Sequence, residues 1–157
     1  MPVEERTVRE WPQPIWRDVT SLFLGERLGG GMSREVFECA INPKWVVKVE
    51  TGDHRQNIVE TLIWCTVRDL ECWRPWFAPV LHSSPDGRAI IQERTWPGLD
   101  RAFPESVPDF LADVRPCNWG WLKGRWVCHD YGLSHLLSKG LSRARLVSTP
   151  KNFKERS

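Results

Sequence analysis

The chain reads LGGGMSREVFECAINPKWVVKVE from Leu28 to Glu50. β-Branched and aromatic residues predict one strand over 35–41 and a second over 45–50. Asn42-Pro43-Lys44, between these two segments, is a turn signal. This part of the chain therefore predicts two antiparallel strands that are preceded by a run of three glycines.

The segments that follow predict a helix and a second hairpin. Thr51-Gly52-Asp53 can cap a helix from about His54 to Leu70, whose apolar residues recur at helical spacing. Two short strands over 78–82 and 88–93 flank the turn signal Ser83-Ser84-Pro85-Asp86-Gly87. Strands and a helix in this order indicate an α+β fold.

One carboxylate falls on the apolar stripe of the predicted helix. At about 100° per residue, the side chains of Ile63, Trp64 and Val67 lie within about 60° of Glu60. A buried carboxylate is costly unless a cation meets it. The alternative is that Glu60 lies at the border of the stripe and reaches solvent there.

The remainder of the chain has weaker signals. Residues 1–20 form an N-terminal arm, 21–146 a single domain, and 147–157 a basic tail that we expect to be mobile. Within the domain, 95–109 reads as an irregular connector because it contains three prolines, and 133–146 is expected to be helical.

Composition excludes several classes of protein. The 157 residues include 22 Lys and Arg against 20 Asp and Glu, so the net charge of +2 disfavours a general nucleic-acid-binding or membrane-surface role. No apolar run approaches the ~20 residues that span a bilayer. The five cysteines are odd in number and the four histidines are scattered, which favours free thiols in a reducing cytoplasm over disulfides or zinc. Ten Trp residues predict a core packed with bulky side chains.

Taken in order, several motifs resemble those of eukaryotic-type protein kinases. The segment from Leu28 to Phe37 is similar to their glycine-rich loop, with Gly29 and Gly31 at the first two glycines, although Arg34 stands at the third. Glycines let backbone N–H groups approach phosphates closely. Val46-Val47-Lys48 is similar to the V-A-I-K strand, and Val46 and Lys48 share one face of it. The resemblance makes Glu60 the carboxylate that pairs with Lys48.

The resemblance is strongest at Asp113-Val114-Arg115-Pro116-Cys117-Asn118, which is similar to the catalytic loop D-x-x-x-x-N. It implies that Asp113 accepts the proton of the substrate hydroxyl and that Arg115 steadies the γ-phosphate. Asp130-Tyr131-Gly132 is similar to D-F-G and follows a predicted strand over 126–129. By resemblance, Asn118 and Asp130 bind Mg²⁺.

The second hairpin corresponds to the two strands that precede the kinase hinge. This places Gln92 at the gatekeeper, followed by a hinge segment whose backbone would bind adenine. The ATP-binding residues implied by the resemblance are Gly29, Gly30, Gly31, Val36, Val46, Lys48, Glu93 and Thr95. The chain is short for a kinase, so we expect a minimal, compact member with a reduced C-terminal lobe, of the kind a phage could encode.

Three classes of function follow. The first is an ATP- and Mg²⁺-dependent phosphotransferase that acts on Ser or Thr of a protein in the cytoplasm, which is the host cytoplasm if a phage encodes it. The second is a kinase-like binding module or inhibitor that has lost turnover and contacts a partner protein through its Trp residues. The third is a small-molecule kinase of the aminoglycoside-phosphotransferase type, which the short C-terminal half disfavours.

Overall fold

The computed structural model describes residue 18 and residues 21–111 and 115–150. The chain divides into two compact units. Unit 1 comprises residues 1–61 and 80–93, and unit 2 comprises residues 62–79 and 94–157. Apart from residue 18, the predicted N-terminal arm lies outside the described residues.

Five antiparallel strands form the sheet of unit 1, in the order β1-β2-β3-β5-β4. The strands are β1 Leu24–Gly30, β2 Arg34–Cys39, β3 Trp45–Glu50, β4 Val80–Ser83 and β5 Ala89–Glu93. Helix α1, Gln56–Val67, follows β3 in the chain. The sequence does not predict β1, whereas β2, β3, α1, β4 and β5 follow one another in the predicted order, so the α+β fold class is confirmed.

The two faces of this sheet differ in chemistry. One face carries an apolar core that consists of Cys39, Val47, Ala89 and Ile91, with Phe23, Leu24, Trp45, Val49 and Leu81 packed against it. Side chains alternate along a strand, so the residues between these core positions face the other side. Lys48 lies on that second face, opposite Val36 on β2 and Ile90 on β5. The first face is therefore apolar, whereas the second face combines apolar residues with the charged side chain of Lys48.

The predicted hairpin turns are present, each with its own hydrogen bonds. Between β2 and β3, the Asn42 side chain accepts a hydrogen bond from the Lys44 N–H at 3.0 Å. Between β4 and β5, Asp86 accepts the Arg88 N–H at 3.0 Å, and Gly87 has a φ of 70°. A Cβ at Gly87 would lie 2.1 Å from Ile58 Cγ1 on α1. Both the backbone angle and this close approach require glycine there.

The start of α1 differs from the prediction. The helix spans Gln56–Val67 rather than His54–Leu70. Its first turn is capped by Glu50, whose carboxylate accepts the N–H groups of Arg55 at 2.9 Å and Asn57 at 2.8 Å. The prediction that the Thr51-Gly52-Asp53 segment supplies the cap is therefore wrong. The Glu50 carboxylate at the end of β3 accepts the free N–H groups at the start of the helix instead.

Unit 2 contains short elements. They are the 3-10 helices Arg74–Trp76 and Pro116–Asn118, the strands β6 Ser106–Pro108, β7 Trp119–Leu122, β8 Arg125–Cys128 and β9 Leu146–Ser148, and helix α2, Leu136–Lys139. β6 pairs with β9 and β7 pairs with β8, both antiparallel. From residue 94 onward, α2 is the one α-helix in the described part of the chain. This scarcity of helix agrees with the expected reduced C-terminal lobe.

Aromatic side chains fill the interior of unit 2. Phe77 packs edge-on against Tyr131 at 4.9 Å between ring centroids and stacks on Phe110 at 6.0 Å. Trp119 is 4% exposed and packs edge-on against Phe103 at 5.1 Å between ring centroids, whereas Trp121 and Trp126 of the β7–β8 hairpin are half-buried. Large rings bury much area per residue, so a unit with short elements still gains an apolar core.

Two further predictions about unit 2 are wrong. Of residues 133–146, which were predicted to be helical, four form α2 and the last begins β9. Val147 and Ser148 were predicted to belong to the mobile tail, yet they pair with Val107 and Ser106 of β6. The segment 95–109, which was predicted to be an irregular connector, contains β6. Each of these two three-residue strands is stabilised by pairing with the other, which is distant in sequence.

No helix among the described residues is long and apolar enough to cross a membrane. All five cysteines are free thiols: Cys39 and Cys128 are buried, and Cys65, Cys72 and Cys117 are exposed.

Candidate functional site

Lys48 and Glu60 form a buried ion pair in unit 1. Lys48 Nζ on β3 lies 3.0 Å from Glu60 Oε2 on α1, and the two side chains are 4% and 0% exposed. The prediction that a cation meets the carboxylate on the apolar stripe is confirmed. The alternative, in which Glu60 reaches solvent at the border of the stripe, is excluded by its complete burial.

A second cation shares this carboxylate. Arg34, the first residue of β2, donates from Nη2 to Glu60 Oε1 at 2.9 Å and is itself 5% exposed. Its Nη1 donates to Asn57 Oδ1 at 3.2 Å. Arg34 stands where the kinase resemblance has a third glycine, so the departure from that pattern brings a guanidinium into the ion pair.

The charge of Glu60 is held by these two neighbours. Burial alone raises the pKa of Glu60, but the charges of Lys48 and then Arg34, with their hydrogen bonds, outweigh it. The net effect lowers the pKa from its ordinary value of 4.5 to about 2. Glu60 is therefore ionised throughout the physiological pH range.

Asn57 connects this ion cluster to the sheet. Its side-chain amide donates to the carbonyl oxygens of Lys48 at 3.1 Å and Arg88 at 3.2 Å. The same residue donates its backbone N–H to Glu50, as described above. Asn57 is fully buried. Its bonds to Lys48 and Glu50 fix the start of α1 to β3, and its bond to Arg88 fixes it to the segment before β5.

The glycine run forms the end of β1 and the turn into β2. The Gly31 N–H donates to the Arg34 carbonyl at 2.9 Å and closes the turn. A Cβ at Gly30 would meet the Arg27 side chain at 2.8 Å, whereas one at Gly29 or Gly31 would meet nothing within 4 Å. The Arg27 side chain is exposed and flexible and can move aside at residue 30, while the absence of side chains at 29 and 31 leaves room for a ligand such as a phosphate.

The apolar residues predicted to contact adenine lie on the strand face that carries Lys48. Val46 is 8% exposed and pairs across the sheet with Gln92, while Val36 pairs with Lys48. Val46 and Lys48 alternate with the core residue Val47, so they project to the same side of β3. An apolar wall next to an ammonium group suits a nucleotide's base and phosphates.

The predicted hinge residues lie in different local settings. Glu93 is the last residue of β5 and pairs with Trp45 of β3. Thr95 belongs to unit 2, where its Oγ1 lies 2.7 Å from Nδ1 of His129. Beyond it, the N–H and carbonyl of Trp96 are both hydrogen-bonded to Trp121 of β7.

The two predicted magnesium ligands are brought together in unit 2. The backbone carbonyl of Asn118 accepts the N–H groups of His129 at 2.8 Å and Asp130 at 3.3 Å. The β7–β8 hairpin lies between these residues in the chain and returns it to Asn118, because Trp119 pairs with Cys128. Asn118 is 7% exposed, and Asp130 is half-buried.

Amide and carboxylate oxygens are ligands that Mg²⁺ accepts, and it commonly completes its shell with waters and nucleotide phosphates. Within the described residues, no group of three or more His, Cys, Asp or Glu side chains is placed to hold a metal ion. The side chains of Asn118 and Asp130 offer one amide oxygen and one carboxylate group, which are donor types that suit magnesium.

Asp113, the predicted catalytic base, lies outside the described residues. Arg115 is described and exposed, and its carbonyl accepts the Asn118 N–H at 2.9 Å. This bond closes the 3-10 turn that ends at Asn118.

Tyr131 is fixed inside unit 2. Its hydroxyl donates to the Ala78 carbonyl at 2.9 Å, and the side chain is 2% exposed. The Ala78 N–H in turn donates to the Cys128 carbonyl at 2.9 Å. The residue after Asp130 is therefore anchored by a hydrogen bond that phenylalanine could not make.

His129 was not singled out from the sequence, yet it joins two predicted segments. Nε2 lies 2.8 Å from the Cys117 carbonyl, which can only accept, so Nε2 carries the proton. In the neutral ring, Nδ1 then accepts from the Thr95 hydroxyl. Position next to Asp130 was the signal that could have drawn attention to His129; Asn57 had no comparable signal.

No protein-family model matches the chain, and no curated protein matches it. Among solved structures, it is similar to the streptomycin–ATP–APH(2")-IIa ternary complex, with 17% sequence identity and a TM-score of 0.41. The match covers 66% of this chain and 31% of that one, so the chain spans about a third of the length of that protein.

Proposed function

We propose that this protein is an ATP- and Mg²⁺-dependent phosphotransferase. The observation that carries the proposal is the buried pair of Lys48 and Glu60, at 3.0 Å, on the third strand and the following helix of the five-stranded sheet. In protein kinases a lysine of this strand binds the α- and β-phosphates and is held by a helix glutamate. Lys48 takes the phosphate-binding role and Glu60 orients it.

Residues around the glycine run complete the nucleotide contacts in this proposal. The absence of side chains at Gly29 and Gly31 would let phosphate oxygens approach the backbone of the glycine run closely. Val36 and Val46 would contact the adenine ring, since they share the face of Lys48. The backbone at Glu93 and Thr95 would bind the edge of the base, as the resemblance implies.

The magnesium ion would be held by Asn118 and Asp130, which the β7–β8 hairpin brings together. When bound there, Mg²⁺ would supply positive charge that offsets the negative charge of the nucleotide phosphates. Asp113 would orient the acceptor hydroxyl and accept its proton, and Arg115 would steady the γ-phosphate. Phosphoryl transfer depends mainly on such positioning and charge neutralisation.

We propose a Ser or Thr hydroxyl of a protein as the acceptor and the cytoplasm as the location. The kinase resemblance of the segment from Asp113 to Asn118 supports this choice of acceptor. A small-molecule acceptor and a binding module without turnover are the competing outcomes of the test.

Incubation with γ-labelled ATP, Mg²⁺ and a cell lysate tests this proposal. We expect label on protein bands, and we expect the Asp113→Ala variant to lose it. Asp69→Asn, whose side chain is 85% exposed in the wild type, serves as the matched control. Label in small molecules alone would replace the protein acceptor with a metabolite, and nucleotide binding without any transfer would identify a binding module.

A further inference from the structure

Arg34 has no counterpart among the roles that the kinase resemblance assigns. It comes from the turn side of β2, is 5% exposed, and occupies one oxygen of Glu60 while Lys48 occupies the other. The carboxylate is thus divided between two cations from neighbouring strands, at 2.9 and 3.0 Å. This sharing of the carboxylate matters if one of the two cations also binds a ligand, because the other cation can then still neutralise Glu60.

Lys48 has that second task under the proposed function. If its ammonium group moves toward nucleotide phosphates, its contact with Glu60 weakens. Glu60 is fully buried, and a buried carboxylate without a cation takes up a proton or pulls its helix away from the sheet. Arg34 lies on the other oxygen, so its ion pair does not depend on where Lys48 points.

Arg34 is well placed to act as a fixed partner. Its Nη1 is held by Asn57, one turn of α1 before Glu60. A second contact joins the turn between β1 and β2 to helix α1, since the Ser33 hydroxyl donates to Gln56 Oε1 at 3.0 Å. A planar guanidinium with several donors can hold two acceptors of α1 at once, which a lysine ammonium on its flexible stem does less well.

We propose that Arg34 is a positioning residue that keeps Glu60 ionised and α1 docked on the sheet while Lys48 binds nucleotide phosphates. This inference rests on the proposed function. Arg34 does not contact the phosphates in this arrangement; it acts through Glu60. Arg34 stands where the kinase resemblance has a third loop glycine. Because Arg34 also pairs with Glu60, Lys48 is not the sole counterion of this buried carboxylate.

The test measures ATP–Mg²⁺ affinity by calorimetry between about pH 6 and pH 8.5 for the wild type, Arg34→Met and Arg34→Lys. Among the described residues, Arg34 of β2 and Lys48 of β3 face Glu60, and Glu50 of β3 is linked to Arg34 through Asn57. Without Arg34, the binding of ATP–Mg²⁺ would draw Lys48 toward the phosphates and weaken its contact with Glu60. The pKa of Glu60 would rise, so nucleotide binding would become coupled to proton uptake.

We expect Arg34→Met to bind about tenfold more weakly than the wild type near pH 8.5, with the difference shrinking to about threefold or less near pH 6. Comparing each variant with the wild type at the same pH cancels the titration of ATP itself. Arg34→Lys should restore most of the affinity. Arg27→Met is the matched control, because Arg27 makes an exposed ion pair with Glu35 on the same hairpin.

An affinity ratio that does not change with pH, or an Arg34→Met variant that binds like the wild type, would overturn the inference. Should Arg34→Met fail to fold, Lys48→Met decides, since the ion pair with Arg34 must then hold Glu60 in place without the Lys48 ammonium group. A folded Lys48→Met protein supports the inference, and an unfolded one contradicts it. Failure of the wild type to bind ATP would reject the proposed function instead, and Lys48→Met still tests Arg34 without nucleotide.

Discussion

Lys48 Nζ and Glu60 Oε2 lie 3.0 Å apart inside unit 1, although they come from different elements and are both almost completely buried. A buried ion pair is weak evidence for stability, because desolvation offsets much of the attraction. It is better explained by a task that needs a charged ammonium in a fixed place. Phosphate binding, which we propose for Lys48, is such a task.

The ionisation of Glu60 predicts how stability depends on acid. Its pKa falls from 4.5 to about 2 on folding, so the unfolded chain binds the proton more readily. The stabilisation is fully present above about pH 4.5 and is lost as the pH falls through 2, amounting to roughly 3 kcal/mol. Urea unfolding at a series of pH values measures it.

Glu60→Gln removes the titrating group and should flatten this part of the pH profile. At neutral pH the variant should lose about 3 kcal/mol or more, because Arg34 and Lys48 keep their charges without a counterion. Glu35→Gln, at a carboxylate whose side chain is 40% exposed, should change stability by less than about 0.5 kcal/mol. Equal effects of the two substitutions would contradict the role assigned to burial.

Asp130 is predicted to mediate the effect of magnesium. With ATP and Mg²⁺ at about 100 times the dissociation constant, the wild-type melting temperature should rise by roughly 5–10 °C. Asp130→Asn should abolish that rise, whereas Asp69→Asn should retain it. A rise that is the same with EDTA as with Mg²⁺ would exclude the assigned metal role.

The Tyr131 hydroxyl is predicted to stabilise unit 2. Tyr131→Phe keeps the ring but leaves the buried Ala78 carbonyl without this donor, which should cost about 1–2 kcal/mol. Ser138→Ala removes an exposed hydroxyl that also donates to a backbone carbonyl, and should cost less than about 0.5 kcal/mol. Denaturant unfolding of both variants compares them, and an unchanged midpoint for Tyr131→Phe would refute the prediction.

Two glycines with similar backbone angles separate conformational cost from packing cost. Gly87 has a φ of 70° and Gly124 a φ of 84°. A Cβ at residue 87 would collide with Ile58, whereas one at residue 124 would meet nothing within 4 Å. Gly87→Ala should therefore lose about 2–4 kcal/mol and Gly124→Ala about 1–2 kcal/mol. Thermal unfolding checks the order, and a reversed order would contradict the packing argument.

Much of unit 1 could be predicted from local signals. The strands β2, β3, β4 and β5 and their turns follow β-branched runs and Asn, Pro, Asp and Gly at the expected places. The position of Glu60 on an apolar stripe indicated that it needs a cation, and the kinase resemblance named Lys48 as that cation. The register between β2 and β3, which places Val36 directly across from Lys48, was not predicted.

Contacts between distant segments could not be predicted. β9 exists because Leu146–Ser148 meets β6, about 40 residues earlier in the chain, and three residues carry too little signal by themselves. The N-terminal cap of α1 was assigned to Thr51-Gly52-Asp53, whereas Glu50 supplies it through the way the chain leaves β3. His129 gained its two partners only through the return of the β7–β8 hairpin.

Sequence alone determined which chemical groups are available and in what order: a glycine run, a strand lysine, a helix glutamate, and the amide and carboxylate of Asn118 and Asp130. Tertiary structure decided how those groups are shared. Packing of α1 on β2 and β3 gave Glu60 two cations rather than one. The reason is physical: periodicity along a chain specifies the face on which a side chain lies, but burial and charge compensation depend on every element packed against that face.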